Sequence, residues 1–367
     1  MEQYSQTESL PTDPECKKLL DLAIEKEASD LHLTVGVPPV LRINGKLYPQ
    51  KDLPVLTGEH SERLIKSFMT KDQQEKFIEK KEFDFSFPYI HHHRGRVRFR
   101  ANVYLQKGYM AASLRLIPKE IKTLAELNLP PILEKFTLSS QGFVLVTGPT
   151  GHGKSTTLAS LINIINHQRE AHIVTIEDPI EYIFEHDKSI ISQREVGSDT
   201  HSFARALRAV LREDPDVVLI GEMRDLETIE TALTVAETGH LVFATLHTNS
   251  AAQTIDRIID VFPPYQQMQV RLQLANVLTG IVSQRLIPRI SGGRIAACEI
   301  LVANPAVRNL IREGEIYQIP NVIATSASEG MVSLDKVLAE LVSKGEITIE
   351  DALIWAIDPK QLKMMVY

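Results

Sequence analysis

The chain has 367 residues, 43% hydrophobic and 24% charged, which excludes a disordered chain and leaves room for two packed domains. Its formal net charge of −7 argues against a protein whose main task is coating nucleic acid. Two cysteines, Cys16 and Cys298, make neither a disulfide framework nor a zinc site, and no apolar run approaches the ~20 residues of a membrane helix.

Residues 1–13 read as a flexible lead-in, polar and unlike a signal peptide. From 14 to 117 the pattern is that of an α+β domain. Leu19, Leu20, Ala23 and Ile24 share a helical face, 30–34 alternates as a strand, and 40–43 with 46–48 flanks Asn44-Gly45, a strong hairpin signal. Helices are expected near 57–69 and 71–79, then strands over 82–87, 94–105 and 109–117. Residues 118–140, with Pro118, Pro130 and Pro131, read as an interdomain linker. From 141 to 367, strands at 143–147, 172–177, 217–220, 241–246 and 294–301 alternate with helical stretches. That alternation implies a mainly parallel sheet covered on both faces. Past Asn304 the periodicity is helical, at 306–313 and 333–343.

The stretch Gly148-Pro149-Thr150-Gly151-His152-Gly153-Lys154-Ser155 follows an apolar strand and opens a helix. In that context a G-x-x-x-x-G-K-[ST] match is a phosphate-binding loop rather than a bare turn. Its backbone N–H groups would cradle an anion at a helix N-terminus. Lys154 would reach the β- and γ-phosphates of ATP, the Ser155 hydroxyl would help hold Mg²⁺, and Thr156 completes the loop. His152 stands where a small residue is commoner, and its side chain is expected to face solvent.

Three further stretches end strands, where α/β sheets bind ligands. Glu177 opens Glu177-Asp178-Pro179-Ile180-Glu181, and Glu222 follows Val217-Val218-Leu219-Ile220-Gly221, with Gly221 where an aspartate often stands. Either glutamate could activate a water, and Glu222 could also enter the magnesium shell. His247, in Thr245-Leu246-His247-Thr248-Asn249, could sense the γ-phosphate, its ring fixed by Thr245 or Asn249; a lone strand-end histidine is more often structural. In the first domain Arg94, Arg96, Arg98 and Arg100 alternate, projecting from one strand face, and Arg115 lies on the next strand. Arg94 and Arg96 read as a solvated face. Arg100 and Arg115 are candidates to neutralise a triphosphate held by a neighbouring subunit. His91-His92-His93 reads as an exposed loop rather than a zinc site.

Together, residues 148–157, 175–182, 211–224 and 238–249 resemble the Walker A, Asp, Walker B and His boxes of the secretion-superfamily ATPases. Among these the sequence looks most like the type IV pilus retraction ATPases, the PilT-like proteins, from Ala28-Ser29-Asp30-Leu31-His32-Leu33 onward. The resemblance implies an α/β chain with a PAS-like N-terminal domain and a RecA-like P-loop ATPase domain with a helical C-terminal part. It implies a homohexamer with ATP at the subunit junctions, working in the cytoplasm against an inner-membrane platform protein, with paralogous pilus ATPases as further partners. It makes Glu177, Glu222 and His247 site residues and Arg100 and Arg115 phosphate contacts. Ala306-Val307-Arg308-Asn309-Leu310-Ile311-Arg312-Glu313 is close to the motif associated with retraction, with Val307 where isoleucine is usual. The expected activity is ATP hydrolysis powering pilus retraction. The alternatives are an accessory pilus ATPase and a hexameric nucleic-acid translocase, the latter disfavoured by the acidic balance.

Overall fold

The computed structural model describes residues 10–43, 45–117 and 120–366, Arg96 by its backbone alone. It divides into two compact units, Met1–Glu120 and Ile121–Tyr367.

The first unit is built on a six-stranded antiparallel sheet. Its strands are β1 (Asp30–Leu33), β2 (Val40–Ile43), β3 (Lys46–Pro49), β4 (Glu82–His91), β5 (Gly95–Gln106) and β6 (Tyr109–Ile117), in the order β3-β2-β1-β6-β5-β4. Helices α1 (Pro14–Glu25), α2 (Gly58–Lys66) and α3 (Lys71–Lys80) contribute Leu20, Ile24, Leu64 and Phe77 to a core shared with Leu31, Phe87 and Phe99. Phe68 stacks on Phe87 at 5.3 Å, fixing the layer. Residues 10–13 are not a loose lead-in. Pro11 is buried, the Thr12 N–H donates to the Ser67 carbonyl at 2.9 Å, and Asp13 caps α1 while pairing with Arg63. Residues 1–9 and Asn44 lie outside the described residues; around the latter, Ile43 pairs with Lys46 as a hairpin requires.

The second unit begins with the stretch expected as a linker. Residues 121–140 pack instead as part of it: a 3₁₀ turn (Pro131–Leu133) and α4 (Glu134–Thr137) bury Leu133 and Phe136, alongside Leu124 and Leu129. The apolar residues between the prolines outweigh the prolines' connector signal.

The seven-stranded sheet comprises β7 (Gly142–Thr147), β8 (His172–Glu177), β9 (Ile190–Glu195), β10 (Val217–Ile220), β11 (Leu241–Leu246), β12 (Leu278–Pro288) and β13 (Arg294–Val302). Their order is β13-β12-β7-β11-β10-β8-β9, parallel throughout except for the antiparallel β13. Strands β9 and β12 were not expected from the sequence. The helices are α5 (Lys154–Gln168), α6 (Phe203–Val210), α7 (Leu226–Glu237), α8 (Ala251–Asp260), α9 (Pro264–Val277), α10 (Pro305–Glu313), α11 (Ile319–Thr325), α12 (Leu334–Ser343), α13 (Ile349–Trp355) and α14 (Pro359–Val366). The central strands read as unbroken apolar runs because both faces are covered: every residue of β7, β10 and β11 is buried. One core cluster holds α6 to α10 with Leu145, Val218 and Ala244; another holds Leu158, Leu161 and Ile165 of α5 with Val144 and Phe243.

In α10, Val307 and Ile311 are fully buried, and Arg308 turns toward backbone carbonyls. Its guanidinium donates to Asn276 (2.7 Å), Leu278 (2.7 Å) and Ala275, gathering carbonyls at the C-terminal end of α9, and to Ala303 (3.0 Å) just ahead of α10. Among the described residues no helix is long and apolar enough to cross a membrane.

Candidate active site

Strand β7 ends at Thr147 and α5 begins at Lys154, so residues 148–153 form the loop between them. Gly148 has φ +140°, and a Cβ there would lie 2.3 Å from the Gln284 carbonyl of β12, so only glycine fits. The first turn of α5 carries no acidic residue, and its N-cap Gly153 offers no side-chain cap. Its end therefore suits an anion. Lys154 is buried and donates to the Gly148 and Pro149 carbonyls, both at 2.9 Å, which aims its ammonium across the loop. Desolvation lowers the pKa of Lys154, opposed by the negative charges of Glu181 and Glu222. Thr156 shares a 2.8 Å hydrogen bond with the Tyr182 hydroxyl, and Ser155 sits half-buried in the same turn.

Beside the loop, Glu222 follows β10. Its carboxylate pairs with Arg224 at 2.7 Å and lies 3.5 Å from Nε2 of His247, whose Nδ1 is 3.5 Å from the Thr150 hydroxyl. A line of side chains thus runs from the loop through His247 to Glu222. Neither expected partner fixes His247: Thr245 donates to the Gly221 carbonyl and Asn249 receives Arg285. Gly221 has its own reason, because a Cβ there would approach the Ile176 carbonyl at 3.2 Å and the Glu177 Cα at 3.3 Å.

Glu177 is placed differently. It is buried, accepting from the Thr175 hydroxyl (2.6 Å), the Gln193 amide (3.3 Å) and the Glu181 N–H (3.5 Å). Burial pushes its carboxyl up to about 7, against the pull of those donors.

His152 corrects the expectation of a solvent-facing side chain. It is half-buried, its Nδ1 accepts the Leu286 N–H at 3.0 Å, and its ring meets Trp355. Burial first, then the charges of Arg285, Arg294 and Lys154, lower its pKa. Sequence reasoning also passed over Gln284 and Arg285 on β12. Gln284 donates to the His152 carbonyl (2.8 Å) and accepts from the Thr157 hydroxyl (2.7 Å). Arg285, 3% exposed, donates to both the carbonyl and the side-chain oxygen of Asn249. Both tie the loop and the segment after β11 to one strand, and no local motif announces them.

In the first unit Arg100 and Arg115 are opposite each other across β5 and β6. Arg100 pairs with Asp84 in a two-pronged contact, and Arg115 donates to the buried Asp30 at 2.9 Å. Each arginine has a carboxylate beside it, which offsets the repulsion between neighbours. His91 is buried at the end of β4, in contrast to the exposed loop expected. With Asp21 and His92 it brings three ligand atoms within 4.8 Å of one another. Its Nδ1 accepts the His93 and Arg94 N–H groups, however, so Nε2 carries the ring proton and has no lone pair for a metal. Cys16 and Cys298 are buried, and burial pushes each thiol up to about 12, leaving them unreactive.

A glycine-rich strand-to-helix loop, an inward lysine and a glutamate–histidine pair at parallel strand ends are the arrangement expected of a P-loop nucleotide hydrolase. The chain belongs to the family described as type II/IV secretion system proteins, whose model matches residues 5–353. It is 48% identical over 335 residues to the type IV pilus retraction ATPase PilT of Pseudomonas aeruginosa strain PAO1, covering 91% of this chain and 96% of that one. It is 43% identical to the type IV pilus ATPase PilU of the same strain, covering 96% and 91%. A crystal structure of the pilus retraction motor PilT with bound ADP aligns at a TM-score of 0.88 and 51% identity, over 95% of this chain and 98% of that one.

Proposed function

We propose that this protein hydrolyses ATP and uses the energy to retract type IV pili, the basis of twitching motility. The observation that carries the reading is the assembled loop, Lys154, His247 and Glu222 in a chain similar over nearly its whole length to a retraction ATPase. In this reading the first unit is PAS-like, and the second is a RecA-like domain with a helical C-terminal part. Six copies form a ring with ATP at each junction, docked in the cytoplasm against a platform protein of the inner membrane.

Residues 148–156 enclose the phosphates, and Lys154 exchanges its two loop carbonyls for β- and γ-oxygens. Ser155 and Glu222 offer the hard oxygen donors that Mg²⁺ takes, so the residues present fit that ion. When bound, Mg²⁺ neutralises charge on the phosphate oxygens. Glu222 is the carboxylate that acts on the attacking water, since it lies in the field of Lys154 and beside His247. His247 holds the line between Glu222 and Thr150, and Glu177 buttresses the end of β8. Arg100 and Arg115 would reach a neighbouring subunit's phosphates by exchanging their aspartate partners.

Replacing Lys154 with Ala should abolish turnover in the purified protein. In cells, deleting the gene should leave pili that accumulate and do not shorten; bald cells would overturn the retraction role. A second reading, an accessory pilus ATPase, is compatible with the 43% identity to another type IV pilus ATPase, PilU, over 96% of the chain. It predicts that fibres still shorten in the deletion strain.

A further inference from the structure

His152 makes a contact that the phosphate-loop motif does not call for. Its Nδ1 accepts the Leu286 N–H at 3.0 Å, and its ring packs edge-on against Trp355 with centroids 4.9 Å apart at 67°. Trp355 is the sole tryptophan in the sequence and the last residue of α13. The guanidinium of Arg285 lies 5.9 Å from the same indole.

The sheet explains why the contact forms. Strand β7 pairs with β12 only as far as Thr147 opposite Ser283, whereas β12 runs on to Pro288. Beyond that point the phosphate loop takes the place of a strand. The His152 carbonyl accepts the Gln284 amide at 2.8 Å, and the imidazole accepts the Leu286 N–H. A serine or alanine would be too short to reach that N–H. Beside it Gly151 has φ +79° with open space where a Cβ would stand, and its carbonyl receives Arg294 at 3.2 Å. Side-chain hydrogen bonds from β12 and β13 therefore restrain a loop tip that has little packing of its own.

We propose that His152 is a positioning residue that pins the phosphate loop to β12 in its phosphate-ready curve, with Trp355 holding the imidazole in the accepting orientation, so that nucleotide binding is coupled to the packing of α13. The proposal rests on the reading of 148–156 as the nucleotide site. A neutral imidazole accepting at Nδ1 carries its proton on Nε2, and the indole fixes which nitrogen faces Leu286. A loop curved in advance binds phosphate without first being ordered, which is a gain in affinity more than in chemical rate.

The test compares wild type with His152→Ala and His152→Asn by ADP calorimetry, ATP turnover and tryptophan emission. His152→Ala should weaken ADP roughly tenfold, the worth of about one buried hydrogen bond with its ring contact. KM for ATP should rise by more than kcat falls. His152→Asn sets an amide oxygen near the Nδ1 position and should recover most of the affinity. ADP should shift the emission of Trp355 in wild type and leave it unmoved in His152→Ala. Wild-type ADP affinity in the alanine variant, or ADP bound by wild type with unchanged emission, overturns the pin. Wild-type protein that binds no ADP removes the site reading and the pin together, a failure visible without any variant.

Discussion

Two glutamates at the ends of neighbouring strands have different surroundings, and the difference is testable residue by residue. Glu222 is paired with Arg224 and near His247, whereas Glu177 is buried with its carboxyl pushed up to about 7. Glu222→Gln should reduce turnover at least a hundredfold while ATP still binds, the usual scale for losing a group that acts on the attacking water. Glu177→Gln should retain turnover, since the amide keeps the shape that buttresses the end of β8 and removes no group that acts on the water. The stability of the fold should respond to this carboxyl instead. A carboxyl raised from 4.5 to about 7 on folding adds stability fully below 4.5, and that contribution fades as pH rises through about 7. The nucleotide-free protein should therefore lose up to about 3 kcal/mol across that window, a loss that chemical denaturation of Glu177→Gln should show flattened. The loop itself was legible in the sequence because its spacing is its chemistry. His152 was misjudged because its partners, Leu286 and Trp355, are more than a hundred residues downstream and only the fold brings them near.

At the scale of elements, short apolar strands bounded by turn residues were readable, and β7, β8, β10 and β11 lie where their patterns put them. Strand β12 escaped for a physical reason. It starts at Leu278, directly after α9 ends at Val277, so no loop marks the change of period, Gly280 stands inside the strand rather than ahead of it, and Ser283-Gln284-Arg285 interrupts its apolar run. Strand β9 is an edge with three half-buried positions, Ser192, Gln193 and Arg194, and gives too weak an alternation to stand out. The stretch 121–140 shows the converse: prolines suggested a connector, but buried Leu133 and Phe136 decide its place. Arg308 ties α10 to the end of α9 through the carbonyls of Ala275, Asn276 and Leu278, and donates to Ala303 ahead of its own helix as well. Arg308→Ala should cost about 2 kcal/mol in urea unfolding, and Arg308→Lys should restore only part, since an ammonium cannot fork across four carbonyls.

For the whole molecule, the two-part layout was visible as a change from antiparallel to alternating βα patterns, and the two units meet in sequence at Glu120–Ile121. A ring in which arginines serve a neighbour's phosphates makes a sharp prediction. Mixing Arg115→Ala subunits with Lys154→Ala subunits, each inactive alone, should return measurable ATPase activity, because some junctions then carry an intact arginine against an intact lysine. If arginine and lysine served the same nucleotide from one chain, every mixture would stay inactive. The direct passage from α9 into β12 bears on how such a machine would transmit force. A loop between two elements acts as a spring, giving way before it passes a pull along, whereas here the backbone turns from coil to pleat within one peptide unit. Tyr265, Met268 and Leu272 jut from the outer side of α9, and Gln284 and Leu286 hold the 148–153 loop further along the same stretch of chain, past a register shift against β7 between Leu278 and Gly280. A pull on the first trio would thus travel to the second pair along helix and strand, with that shift as its one point of give between them.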